Sequence, residues 1–170
     1  METQPLLLVG RSLEQVAFVV RDLDAAQRFI AQSMGIPRFY VIEHFGQRAT
    51  DTTFRGRRVE HDFTIALAYS GNTQIELIQH LSGDTCYKEF LERRGEGMQH
   101  LGFFLEDPEQ HEQVLMEFEK NGFPVLQSGH FGAAAYTYFD TESAIGAVME
   151  IVYLDSNSRE LMERIKQGNF

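Results

Sequence analysis

Four polar side chains interrupt apolar, strand-like stretches at matching places in two halves of this 170-residue chain: Gln15 and Glu76 in the first half, His100 and Glu150 in the second. Gln15 lies seven residues before Asp22, and His100 lies seven residues before Asp107. Each Asp opens a helix-like stretch that stops at a glycine (Gly35, Gly122) followed by a proline (Pro37, Pro124). Glu76 and Glu150 are flanked by aliphatic residues on both sides, in QIELI and VMEIV. A carboxylate in mid-strand costs several kcal/mol unless it is paired or bound to a metal. A two-fold repeat that brings an amide, two carboxylates and an imidazole together is a way to build a metal site.

Strands must position these side chains, and strand side chains alternate between faces. In 14–20, Val16, Phe18 and Val20 share the face opposite Gln15. Ile75 and Leu77 lie opposite Glu76, and Leu101, Phe103 and Leu105 lie opposite His100. Met149, Ile151 and Tyr153 lie opposite Glu150. Each time a wholly apolar face suits packing on a helix and the candidate ligand faces away from it. If the sheet curls, the four side chains converge in a cleft.

The remaining pattern predicts a helix from Asp22 to Gly35 with Leu23, Ala26, Phe29, Ile30 and Met34 at helical spacing. Strands are expected at 38–45, 63–69 and 73–79, the last two joined by Ser70-Gly71-Asn72. The polar stretch 46–62 reads as a long loop. A helix over 84–94 links to a strand at 98–105 and a second capped helix with Pro108 at its first position and Val114, Leu115 and Phe118 on its buried face. Strands at about 124–130, 134–140 and 147–153 and an amphipathic helix over 156–167 complete the chain. The order is βαβββ, a link, βαβββ and a helix. This predicts an α+β single domain with modules at about 13–80 and 97–154, forming a curled sheet around a metal-binding cleft.

A net charge of -10 argues against general binding to nucleic acid or anionic membranes. The lone cysteine, Cys86, allows no internal disulfide and favours a reducing compartment; in the bridging helix it reads as structural. METQPLLLVG is a poor signal peptide, and no stretch approaches the ~18 apolar residues of a membrane helix, so a cytoplasmic protein is expected.

With these residues in place, the chain resembles the vicinal oxygen chelate superfamily, whose members include glyoxalase I, methylmalonyl-CoA epimerase, extradiol dioxygenases and bleomycin resistance proteins. VAFVVRDLDAAQRFIAQSMGIP looks like the family's first β-α unit, and the likeness covers roughly residues 13–154. NTQIELIQHLSGDTCYKEFLERRGEGMQHLGFFLED is similar to the methylmalonyl-CoA epimerase pattern of a Glu- or Gln-bearing strand, a short helix, RGEG and a ligand His. The resemblance implies metal ligation by Gln15, Glu76, His100 and Glu150. The first position is usually His in the family, so Gln15 departs from the commonest pattern and weakens an iron dioxygenase reading. The Gln, Glu, His, Glu set is similar to the eukaryotic type of glyoxalase I, whereas the linker and RGEG look like the epimerase branch, and the two clues point apart.

The resemblance further implies proton abstraction next to a carbonyl through a metal-stabilised enediolate, with Glu150 as first choice for the base and Glu76 mainly a ligand. The donor set suits Zn, Ni, Co, Mn or Mg. The implied activity is a lactoylglutathione lyase-like or methylmalonyl-CoA epimerase-like lyase, isomerase or epimerase on a small carbonyl or thioester substrate, in a homodimer. The alternatives are a non-catalytic small-molecule binder of the bleomycin-resistance type and an iron-dependent oxygenase. Arg48, Arg55, Arg57 and Arg58 form a candidate receptor for an anionic substrate or a solvated surface. His44, His61 and His130 are candidate cleft residues, with at most one of Glu43 and His44 facing inward.

Overall fold

The computed structural model describes residues 11–170. The leader-peptide reading of METQPLLLVG therefore lies outside the described residues. No described helix is long and apolar enough to cross a membrane.

The first half begins with β1 (Gln15–Val20) and α1 (Leu23–Met34), continues with β2 (Tyr40–Ile42), α2 (Phe45–Arg48), β3 (Thr50–Phe54) and β4 (Arg57–Arg58), and ends with the long hairpin β5 (His61–Ser70) and β6 (Thr73–Gly83). Helix α3 (Cys86–Arg94) leads to β7 (Gly97–Leu105), α4 (Pro108–Lys120), β8 (Val125–Phe131), β9 (Ala134–Phe139), a short turn of helix α5 (Glu142–Ile145) and β10 (Val148–Tyr153). Helix α6 (Ser156–Lys166) closes the chain. The side chains of Asp22 and Asp107 accept hydrogen bonds from the backbone N–H groups of Ala25 and Glu109, so both helices start where the capping residues place them. Helix α1 ends on Gly35 at φ 69, a left-handed conformation that glycine takes without strain.

All strands join one strongly curled sheet in the order β2-β5-β6-β1-β7-β10-β9-β8-β3-β4. Strands β1 and β7 pair antiparallel at its centre. On either side of that seam, β1 runs parallel to β6 and β7 parallel to β10. The convex side carries two apolar layers. Phe18, Val20, Ile75 and Leu77 pack with Leu23, Ala26 and Ile30 of α1. Phe103, Leu105, Met149 and Ile151 pack with Val114, Leu115 and Phe118 of α4. Phe29 and Met34, placed on the buried stripe of α1 by their spacing, are 67% and 46% exposed. The helix touches the sheet along a narrower line than the pattern suggests.

The segment 46–62 is not a loop. It contains α2 (Phe45–Arg48), β3 (Thr50–Phe54) and the two-residue strand β4 (Arg57–Arg58). Strand β3 pairs antiparallel with β8, so an arm of the first half extends the far edge of the second. Helix α2 thereby spans from the β2 edge of the sheet to the β3 edge, across the open side of the curl. Phe45 holds it there, stacked on Phe131 with ring centroids 4.3 Å apart and tilted against Phe63 at 5.3 Å. His44 enters this strap at φ 51, an uncommon conformation for a residue with a side chain. Its Nδ1 lies 2.5 Å from the Asp62 carboxylate, which also accepts from Gln47 Nε2 at 3.0 Å.

Helix α6 crosses the same open side from the other end. Ile165 is 3% exposed, and Leu161 and Met162 pack on the concave core of their own chain.

Candidate metal centre

Four adjacent central strands carry the four singled-out side chains. Glu76 on β6 lies opposite Ala17, two residues from Gln15 on β1. His100 on β7 also lies opposite Ala17, and Glu150 on β10 lies opposite Gly102, which in turn faces Gln15. The register is symmetric about the β1–β7 seam: Gln15 corresponds to His100, Ala17 to Gly102 and Glu76 to Glu150. At Gly102 a Cβ would come within 2.4 Å of Gln15 Oε1 and 2.9 Å of its Cβ, so the missing side chain makes room for the glutamine.

The side chains meet on the concave face. His100 Nε2 lies 3.2 Å from Glu76 Oε2, 3.1 Å from Glu150 Oε2 and 3.2 Å from Gln15 Oε1. All four residues are buried, His100 completely. One Nε2–H cannot serve three oxygens, and the Oε2 atoms of Glu76 and Glu150 have no properly oriented hydrogen-bond partner. Donor atoms of Glu76, His100 and Glu150 lie within 4.8 Å of one another. Two buried carboxylates short of partners around an imidazole are the donor chemistry of a divalent cation, with the Gln15 amide oxygen as a fourth donor. Burial drives the Glu76 carboxyl above its ordinary range, against the pull of His100. Burial pushes the His100 imidazole down, but Glu150 and Glu76 together outweigh it and raise it to about 9.

The supporting shell holds residues that the alternation pattern did not flag. The β1–β7 register slips between Ala17 and Phe18, pairing His100 with Ala17 and Met98 with Phe18. Gln99 is the extra residue of a β-bulge, and bulges re-aim side chains. Its Oε1 lies 2.6 Å from His100 Nδ1, which leaves Nε2 turned towards the carboxylates. Gln74, two residues before Glu76 and on the same face, accepts from Gln15 Nε2 at 2.8 Å. That orients the Gln15 carbonyl oxygen towards His100. The Tyr138 ring stands edge-on to the imidazole at 5.0 Å, and its hydroxyl is 2.8 Å from that of Tyr87. Gln74 was within reach of the period-2 argument; Gln99 was not, because the bulge breaks the period.

The site opens into a cavity of about 400 Å³. Gln15, Glu76 and Glu150 line its polar end. Aromatic and aliphatic side chains, chiefly from β5, β8, β9, α2 and α6, form most of the rest, with Gln74, Asp155, Asn157 and Ser158 among them. The arginine cluster does not contribute to this wall. Arg55 pairs with Glu89 at 2.8 Å and Asp140 at 3.4 Å, Arg58 pairs with Asp51 at 2.9 Å, and Arg48 lies over the Phe131 ring at 4.9 Å. Nor do His44, His61 and His130 line it. His44 binds Asp62, His61 is buried at the start of β5, and His130 lies 3.9 Å from Asp51. Cys86 is buried, and burial holds its thiol well above the usual range, which suits a structural residue.

Comparison with known proteins adds three findings. The family model described as glyoxalase/bleomycin resistance protein/dioxygenase superfamily matches residues 14–139, a span that includes Gln15, Glu76 and His100 and stops short of Glu150. The structure is similar to methylmalonyl-CoA epimerase from Mycobacterium tuberculosis, with a TM-score of 0.61 at 18% identity, over 89% of this chain and 93% of that one. It is also similar to a hypothetical protein from Bacillus halodurans C-125 (TM-score 0.59, 18% identity, 85% and 95% of the two chains). A methylmalonyl-CoA epimerase in complex with methylmalonyl-CoA and NH4+ matches at a TM-score of 0.60 and 18% identity, over 87% and 96%. At this identity the likenesses show a shared fold. Among curated protein sequences none matches at a significant level.

Proposed function

The chain belongs to the glyoxalase/bleomycin resistance protein/dioxygenase superfamily, and from that premise we propose that it is a divalent-metal-dependent isomerase, epimerase or lyase that removes a proton next to a carbonyl. The observation that carries this reading is the convergence of Glu76, His100 and Glu150 in a buried cavity. The metal, when bound, polarises a substrate carbonyl and stabilises the negative charge that develops on its oxygen. Gln15, Glu76 and His100 would hold it, together with Glu150. Glu150 is the proposed base. It accepts the proton from the carbon beside the carbonyl, the carboxyl exchanges that proton with solvent, and a proton is then returned to a neighbouring atom or to the opposite face. Gln74 and Gln99 would fix the orientation of Gln15 and His100. The substrate is a small carbonyl compound or thioester.

Two measurements test this. Metal content of the purified protein should be about one equivalent, lost in His100→Ala. Substrate carbonyl compounds incubated with the loaded protein in D2O should take up deuterium at the adjacent carbon, with at least a ~10²-fold loss in Glu150→Gln. Absence of metal uptake after exposure to Zn, Ni, Co, Mn and Mg would remove the proposal. The aromatic lining of the cavity favours one second reading, sequestration of a small molecule without turnover, which predicts ligand binding that is indifferent to metal.

A further inference from the structure

We infer that the substrate group held in the cavity is an uncharged, largely apolar or aromatic carbonyl compound rather than a carboxylate; this rests on the metal-dependent reading above. The inference starts from the charges around the cavity. Two glutamates and one divalent cation sum to zero, with His100 neutral when it ligates. A substrate that binds through a hydroxyl and a carbonyl oxygen leaves that balance intact. A carboxylate adds a net negative charge, and among the described residues no Lys or Arg lines the cavity to offset it. The third charged group in the wall, Asp155, is also an acid. Its carboxylate caps α6 and is held below its ordinary range by Ser158, so it stays ionised.

Two cations near the cavity lie outside its lining. Arg159 donates to the Leu154 carbonyl oxygen at 2.9 Å, and Arg48 lies over the Phe131 ring. In the arm that the sequence offered as a receptor for an anionic substrate, Arg55 pairs with Glu89 and Asp140 and Arg58 pairs with Asp51. Meanwhile Phe45, Phe63 and Phe131 of the strap side face Leu161 and Met162 of α6 across an apolar chamber whose volume is ordinary for a small ligand. Such a chamber selects by apolar area and by the absence of uncompensated charge.

A matched pair of probes isolates the charge. Mandelamide and mandelate share a phenyl ring, a hydroxyl and an adjacent carbonyl oxygen, and differ in one negative charge. The full-length protein is loaded with Co(II), and binding is read from the visible absorption of the metal and by calorimetry. Mandelamide should bind at least ~10-fold more tightly than mandelate. Asp155→Asn keeps an N-capping side chain and should raise mandelate affinity ~3- to 10-fold while leaving mandelamide unchanged. Equal or tighter binding of mandelate, or no mandelamide binding at millimolar concentration, overturns the inference while Co(II) uptake leaves the metal-dependent reading standing. A protein that takes up no Co(II) overturns both.

Discussion

At the scale of single residues, the centre depends on what holds its ligands as much as on the ligands. Gln99 reaches His100 Nδ1 only because the β-bulge turns two consecutive side chains inward. Gln99→Leu should leave the fold intact and weaken metal binding ~10- to 100-fold, measured by competition with a chelating dye. Gly102→Ala tests the other support. The new methyl would collide with Gln15, so a stability loss of about 1–3 kcal/mol in urea titration and a weaker metal site are expected together. If Gly102→Ala lowers stability without touching metal affinity, Gln15 is not a ligand. Gln15, Glu76, His100 and Glu150 could all be picked out of the sequence because each is a polar residue in a strand whose opposite face is wholly apolar. Gln99 was hidden by the same logic, since a bulge suspends the alternation that the reading relied on. The arginines, open in the sequence between an anion receptor and a solvated surface, lie outside the cavity lining: Arg55 pairs with Glu89 and Asp140, Arg58 pairs with Asp51, and Arg48 lies over the Phe131 ring.

At the scale of elements, the capped helices and the β5–β6 hairpin were readable from local chemistry, because Asp22, Asp107 and Ser70-Gly71-Asn72 act within a few residues. The arm was not. TDTTF and RR have no apolar alternation of their own, and β3 becomes a strand through its pairing with β8. The strap α2 that precedes it is fastened by a titratable contact. Its hydrogen bond to Asp62 raises the His44 imidazole above its ordinary value of 6.5, aided by the charges of Asp62 and Glu43. A raised folded-state value means that the contact stabilises the protein fully below pH 6.5 and ceases to do so as the pH rises through that raised value. His44→Asn retains a residue tolerant of the left-handed backbone. The melting temperature of this variant should therefore trail wild type most below pH 6.5 and converge with it in alkaline buffer; a constant gap across pH would remove the ion pair as the fastening. His61, beside Asp62, has the opposite sense. Burial lowers its value, so its contribution is complete above 6.5 and fades as the pH falls.

At the scale of the whole molecule, the two halves build one sheet whose seam is the antiparallel pair β1–β7, and the site straddles that seam. The resemblance predicts a homodimer, while in the structure Leu161 and Met162 of α6 pack on the core of their own chain. Light scattering coupled to size-exclusion chromatography should give a dimer mass, and a monomer mass across the micromolar range would end that proposal.

The arm has a consequence for the order in which the molecule is made. Thr50–Phe54 leave the ribosome long before Val125–Phe131, yet each is the other's partner. The first half can form its hairpin and lay α1 on it, but its strap has nothing to fasten to until the second half exists. Contacts so distant in sequence form late and slowly. The chamber around Gln15, Glu76, His100 and Glu150 cannot be enclosed until β8 has been made to receive the arm and α6, at the end of the described chain, folds across. A solute that binds those side chains before α6 is in place enters without the mouth having to be reopened.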